Sequence, residues 1–101
     1  MLGLQRCDGC GQPAEQVALE VWRNAQEIAG RFCRTCVHDR TILGPFARGL
    51  IDHFPDRQLA WDRHTPRGGG HYLDLTPANL SNVIERLGRG GSVQVVKEAQ
   101  P

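Results

Sequence analysis

The chain holds four cysteines, and they come as two C-x2-C pairs, Cys7 with Cys10 and Cys33 with Cys36. The full pattern is C-x2-C-x22-C-x2-C, and it uses every cysteine present. A C-x2-C turn places two thiolates on one edge of a tetrahedron, and a second turn supplies the opposite edge. A redox pair needs only one such turn, usually at a helix start after a strand. In a reducing compartment, two paired turns favour metal over disulfides. The spacing therefore points to one structural zinc ion per chain, with Cys7, Cys10, Cys33 and Cys36 as ligands. Gly11 follows the second thiol directly. It lets the backbone bend tightly there, since glycine tolerates positive φ.

A staple of this kind suits the size of the chain. With 101 residues, 40% of them hydrophobic, the chain is long enough for one ordinary domain. Domains of this length bury apolar surface inefficiently, and a metal offsets that. The net charge of +1 gives no global attraction to nucleic acid or membrane. The opening residues, MLGLQRCDGC, contain no apolar run of signal-peptide length, and nothing approaches a membrane span. The expectation is a cytoplasmic protein.

Between the pairs, Glu15 to Arg23 alternates, with Val17, Leu19 and Val21 on one face and Ala18, Glu20 and Trp22 on the other. That period is the signature of a strand. Asn24 to Gln26 can turn, and Glu27 to Phe32 can return, so a β-hairpin separates the two pairs. A short helix is expected over Thr35 to Leu43, ended by Gly44. A second helix is expected from Pro45, with Phe46, Leu50, Ile51 and Phe54 as its apolar stripe. From Asp56 to Gly70 the periodicity is lost, and RHTPRGGG reads as loop or linker. Trp61 is expected to anchor that loop on the core. Order returns with a strand at His71 to Leu75 and a helix capped by Thr76 with Pro77 at its first position. That helix carries Leu80, Val83, Ile84 and Leu87, and a last strand follows at Ser92 to Val96.

The order CDGCG, hairpin, FCRTC, helix resembles the treble-clef and zinc-ribbon class of four-cysteine zinc modules. The resemblance covers about Cys7 to Phe54 and is closer to the treble clef, whose last pair sits at the start of a helix. It implies the same four ligands. The second pair is followed by Val37 rather than glycine, which suits a helix start better than a rubredoxin-like iron site. The expected fold is thus α+β: a small zinc-stabilised, treble-clef-like hairpin-plus-helix unit with a β-α-β C-terminal extension. Its segments are residues 1–55, a Gly/Arg-rich linker at 56–70, and residues 71–101.

Four thiolates would close the coordination shell, whereas a catalytic zinc keeps a position open. No cysteine remains as a nucleophile, and no His-x-Glu or Cys-x-Glu precedes a C-x2-C as a deaminase requires. The chain is expected to be non-catalytic, with no evident small-molecule substrate. His38 lies close to Cys36, but the four-cysteine site is complete without it. LGRGGS lacks the Lys-Ser or Lys-Thr of a phosphate loop and follows a helix rather than opening one, so it reads as cap and turn. Arg31, Arg34, Arg40 and Arg48 gather around the hairpin and helix and are candidate phosphate contacts. The function expected is recognition, with nucleic acid as partner in transcription or translation. The alternative is a protein-interaction adaptor docking on a larger assembly. Trp22 is expected in the core if the C-terminal extension covers its face, and as an exposed anchor otherwise.

Overall fold

A computed structural model of the chain describes residues 5–14, 16–62 and 70–97. Strands β1 (Gln5–Arg6) and β2 (Pro13–Ala14) pair antiparallel around the first cysteine turn. Strands β3 (Val17–Trp22) and β4 (Ile28–Cys33) form the expected hairpin. Its loop is closed by Asn24, whose side-chain oxygen accepts from the N–H of Gln26 (2.7 Å) and of Glu27 (2.9 Å). Asparagine favours such turns because its short side chain can bond its own backbone. A 3-10 turn at Cys36–His38 then leads into helix α1 (Arg40–His53). Strands β5 (Arg57–Trp61) and β6 (His71–Asp74) follow as a second antiparallel pair. Helix α2 (Leu80–Gly88) and strand β7 (Gly91–Lys97) complete the fold.

The main sheet has the order β4-β3-β7-β5-β6. Strand β7 runs parallel to β3 and antiparallel to β5. The fold is therefore α+β, with a two-stranded and a five-stranded sheet. Leu19, Val21, Phe32, Leu59, Val93 and Val95 point from the large sheet into one core. There they meet Leu43, Ala47, Leu50 and Ile51 of α1, and Val83 and Leu87 of α2. The rings of Phe32 and Phe46 meet edge to face at 4.8 Å. Each fully buried Leu or Val contributes about 1.5–3 kcal/mol. The apolar layer supplies most of this core, and Cys7 and Cys36 are buried members of the same cluster. No described helix is long and apolar enough to cross a membrane.

Four readings of the sequence need correction. First, α1 is one helix, running through Gly44 and Pro45 instead of breaking there. Asp39 caps it, accepting from the Thr41 N–H at 2.9 Å and the Thr41 hydroxyl at 2.6 Å. Pro45 falls on an exposed position one turn in, where the missing N–H leaves only the carbonyl of exposed Thr41 without its helical donor. Second, the presumed linker contains β5, which lies between β7 and β6. Residues 63–69 of that stretch lie outside the described residues. Third, Thr76 makes no side-chain cap bond, and a 3-10 turn at Pro77–Asn79 precedes α2. Fourth, of the two positions kept open for Trp22 the core one does not hold, since Trp22 is half-buried and not among the residues packed on the core. The later strands extend the hairpin edge to edge, so Trp22 is half-buried on the open face, opposite Ile28 and beside Gln94. Trp61 does pack on the core, with the Arg86 guanidinium 4.8 Å from its ring centroid and His71 stacked at 5.6 Å.

Candidate metal centre

The first cysteine turn is a closed local structure. The Cys7 N–H donates to the Gln12 carbonyl (2.9 Å), and the Gly11 N–H donates to the Cys7 carbonyl (2.8 Å). Gly11 sits at φ +75°, as the bend requires. The Arg6 guanidinium donates to the Gly11 carbonyl at 2.9 Å. This turn is fastened to β4 by three further bonds. The Asp8 N–H donates to the Arg31 carbonyl (2.7 Å), and the Arg31 N–H donates to the Asp8 carboxylate (2.6 Å). The Cys33 N–H donates to the Cys7 sulfur (3.3 Å). β4 is an edge strand, so the turn also covers backbone groups that would otherwise be unpaired.

The second pair ends β4 and opens the 3-10 turn: Cys33 is the last strand residue and Cys36 the first of the turn. All four sulfurs lie within 4.8 Å of one another. Zinc–sulfur bonds of about 2.3 Å in a tetrahedron put sulfurs roughly 3.8 Å apart. The cage therefore fits a metal ion with a small contraction. Cys7 and Cys36 are buried, Cys33 is half-buried and Cys10 is exposed. His38 is exposed and is not among the four clustered residues.

The protonation chemistry of the cluster fits a cation. Burial pushes the Cys7 thiol up, but the N–H groups of Cys33, Cys10 and Gly9, with the Cys36 side chain, outweigh it and bring Cys7 to about 6. Cys36 is driven the other way, by burial and then by the neighbouring Cys33, Cys7 and Cys10 side chains. Without a cation the thiolate is favoured at Cys7 and disfavoured at Cys36 beside it. A divalent ion removes that conflict, because it favours deprotonation of every ligand.

Gly9 is the functional residue that the sequence reading missed. A Cβ there would lie 2.8 Å from Ile42 Cγ2 and 3.0 Å from both Cβ and Sγ of Cys36. Its lack of a side chain lets the two cysteine turns approach. The only signal was its place between Cys7 and Cys10, which backbone geometry alone did not distinguish from any turn residue. Gly9→Ala is expected to weaken metal affinity by about 10–100-fold, the scale typical of disturbed second-layer partners. Competition with a chromophoric chelator measures it, and unchanged affinity would mean that the turns can separate freely.

The four candidate arginines lie on three different pieces of the structure, a strand, a turn and a helix. Arg31 is on β4, on the open sheet face, with its Nε 3.8 Å from the Glu20 carboxylate across the hairpin. Arg34 is exposed in the turn between Cys33 and Cys36. Arg40 and Arg48 are exposed on α1, on the helical side. Asp39 is engaged as the α1 cap and Glu27 accepts from the Asn24 amide at 3.1 Å, so neither serves these arginines as an ion-pair partner among the described residues. Comparison of the chain with protein families, curated proteins and solved structures finds no match.

Proposed function

We propose that this protein is a non-catalytic recognition module whose four cysteines hold one structural zinc ion, and that its partner is a protein. The observation that carries the metal assignment is the cage of four thiols, with two of its sulfur ligands buried. The zinc fixes the first cysteine turn against β4 and the start of the helical segment. The division of the arginines favours a protein partner, since phosphate binding calls for a contiguous basic surface. The open sheet face adds to this, with half-buried Trp22 and Tyr72 at 40% exposure. Aromatic residues in such positions are common interface anchors.

Elemental analysis of protein purified without added metal should find about one zinc per chain. Metal-free protein with four freely reacting thiols would end the assignment. The second reading, nucleic acid, draws on Arg34, Arg40 and Arg48, whose side chains have no partner among the described residues. Fluorescence anisotropy with single- and double-stranded DNA and RNA at low salt separates the two. If phosphates are contacted, each contributes about −0.7 to −0.9 to the log–log salt slope. Arg34→Ala with Arg40→Ala should then flatten that slope by roughly two contacts' worth. Absence of binding at micromolar protein leaves the protein partner.

A further inference from the structure

The four cysteines are placed unequally toward solvent. Cys7 and Cys36 are 2% and 3% exposed and belong to the core cluster. The Cys7 sulfur is further engaged by the N–H groups of Gly9 and Cys33, both at 3.3 Å. Cys33 is half-buried, and Cys10 is exposed. The cage is therefore closed on its core side and open on the other. The two open positions come from different turns. Cys10 belongs to the first cysteine turn, and Cys33 is the last residue of β4. All four sulfurs lie within 4.8 Å of one another, so Cys10 and Cys33 can meet without separation of the turn from the strand.

We propose that hydrogen peroxide oxidises Cys10 and Cys33 to a disulfide, with loss of the zinc ion, and that this bond keeps the first cysteine turn fastened to β4. The inference rests on the zinc assignment and gives that site a regulation. The exposed Cys10 sulfur attacks the peroxide: an S–O bond forms, the O–O bond breaks, and one oxygen leaves as water after taking a proton. Cys10 has then lost two electrons and stands as sulfenic acid. The Cys33 thiolate attacks that sulfur: the S–S bond forms, the S–O bond breaks, and the second oxygen leaves as water. In sum, two thiolates, two protons and one hydrogen peroxide give one disulfide and two waters. Cys7 and Cys36 remain reduced, and two thiolates are too few for a structural zinc shell. A disulfide within either C-x2-C pair would leave the two turns unlinked. A bond from Cys10 to Cys33 instead spans the same gap as the metal, so the module gives up its ion and keeps its shape.

Peroxide treatment of the zinc-loaded full chain tests this. The reduced protein is assayed for zinc first, and absence of zinc at that point overturns the metal assignment and the proposal together. Hydrogen peroxide in molar excess is expected to release the bound zinc to a chromophoric chelator. Free thiols are then blocked and the chain is cut without reduction. Trypsin acts after Arg23, Arg31 and Arg34, and a protease that cuts before aspartate acts at Asp8, which puts the four cysteines on separate peptides. The expected product joins the peptide of residues 8–23 to that of residues 32–34. Hydrogen exchange should show residues 5–14 still protected in the oxidised protein, and released in reduced protein stripped by a chelator. Cys10→His retains a Cys3His ligand set that suits structural zinc. Without the exposed thiolate it should lose zinc to peroxide about tenfold more slowly. Zinc that stays bound, a disulfide within either C-x2-C pair, loss of protection at residues 5–14 on oxidation, or Cys10→His losing zinc as fast as its parent overturns the proposal and leaves the metal assignment standing. Where Cys10→His does not hold zinc, the linked peptide of the parent protein decides.

Discussion

Cys33→Ser is expected to strip the metal, release residues 5–14 and loosen the outer edge of β4, while Phe32 and Val37 stay in the core. The centre of the main sheet is expected to stay folded. Serine is a poor zinc ligand, and losing one of four thiolates leaves a buried, crowded set of the others. The first cysteine turn has few apolar contacts beyond Cys7 and Ala14, so little else holds it. Within the sheet β4 pairs only with β3, and its other edge is held by the first cysteine turn itself. β3, in contrast, is also held by β7, through the register Leu19–Gly91 to Trp22–Gln94. The hairpin therefore does not depend on the metal alone, as a free-standing two-stranded unit would. The cost should reach about 4 kcal/mol or more, a range that single substitutions reach through events such as loss of a metal. Hydrogen exchange, with a parallel metal assay, reads both parts. Protection persisting at residues 5–14 in metal-free protein would show that the staple is dispensable.

Gly90→Ala carries the second large effect. Gly90 lies at φ +75°, and a Cβ there would sit 2.6 Å from the Ala18 carbonyl oxygen. That oxygen belongs to the backbone, so it can move only if β3 moves with it. The left-handed conformation costs an alanine about 1–2 kcal/mol. Displacing β7 from its place beside β3 adds to this, for a total of about 3 kcal/mol. Gly49→Ala is the control. It lies inside α1 with nothing within 4 Å of a built Cβ. There alanine should stabilise by up to ~1 kcal/mol. Urea midpoints compare the two, and metal stoichiometry should remain one in both. A Gly90→Ala protein as stable as its parent would mean that the crossing of chain at Ala18 is not tight.

The cysteine spacing and the alternation from Val17 to Val21 were legible because each expresses a local rule. Thiolate pairs need a short turn, and half-buried strands need period two. What stayed hidden depends on contacts distant in sequence. Arg57 to Trp61 reads RQLAW, with Leu59 and Ala60 both buried and adjacent. Burial on successive residues removes the alternation that would have announced β5. The apolar stripe of α1 was visible, but Pro45 hid its continuity. Local preference puts proline at a helix start, and here packing of Leu43, Ala47, Leu50 and Ile51 on the sheet carries the helix through it. The side on which Trp22 would be found turned on how the C-terminal residues pack. No pattern within those residues encodes the choice between joining an edge and covering a face.

The insertion of β7 between β3 and β5 also sets an order of events during synthesis. Residues 5–38 contain both cysteine turns and the first hairpin, so the four-cysteine unit is complete while the ribosome is still making the rest. The β5–β6 pair forms next, again from neighbours in sequence. Until residues 91–97 emerge, these two pieces share no strand contact, and β3 and β5 each expose a bare edge. The last strand then joins them in a single step that closes two edges at once. Two early, locally folded units waiting for one later strand leave the nascent chain most vulnerable to aggregation before residues 91–97 have emerged.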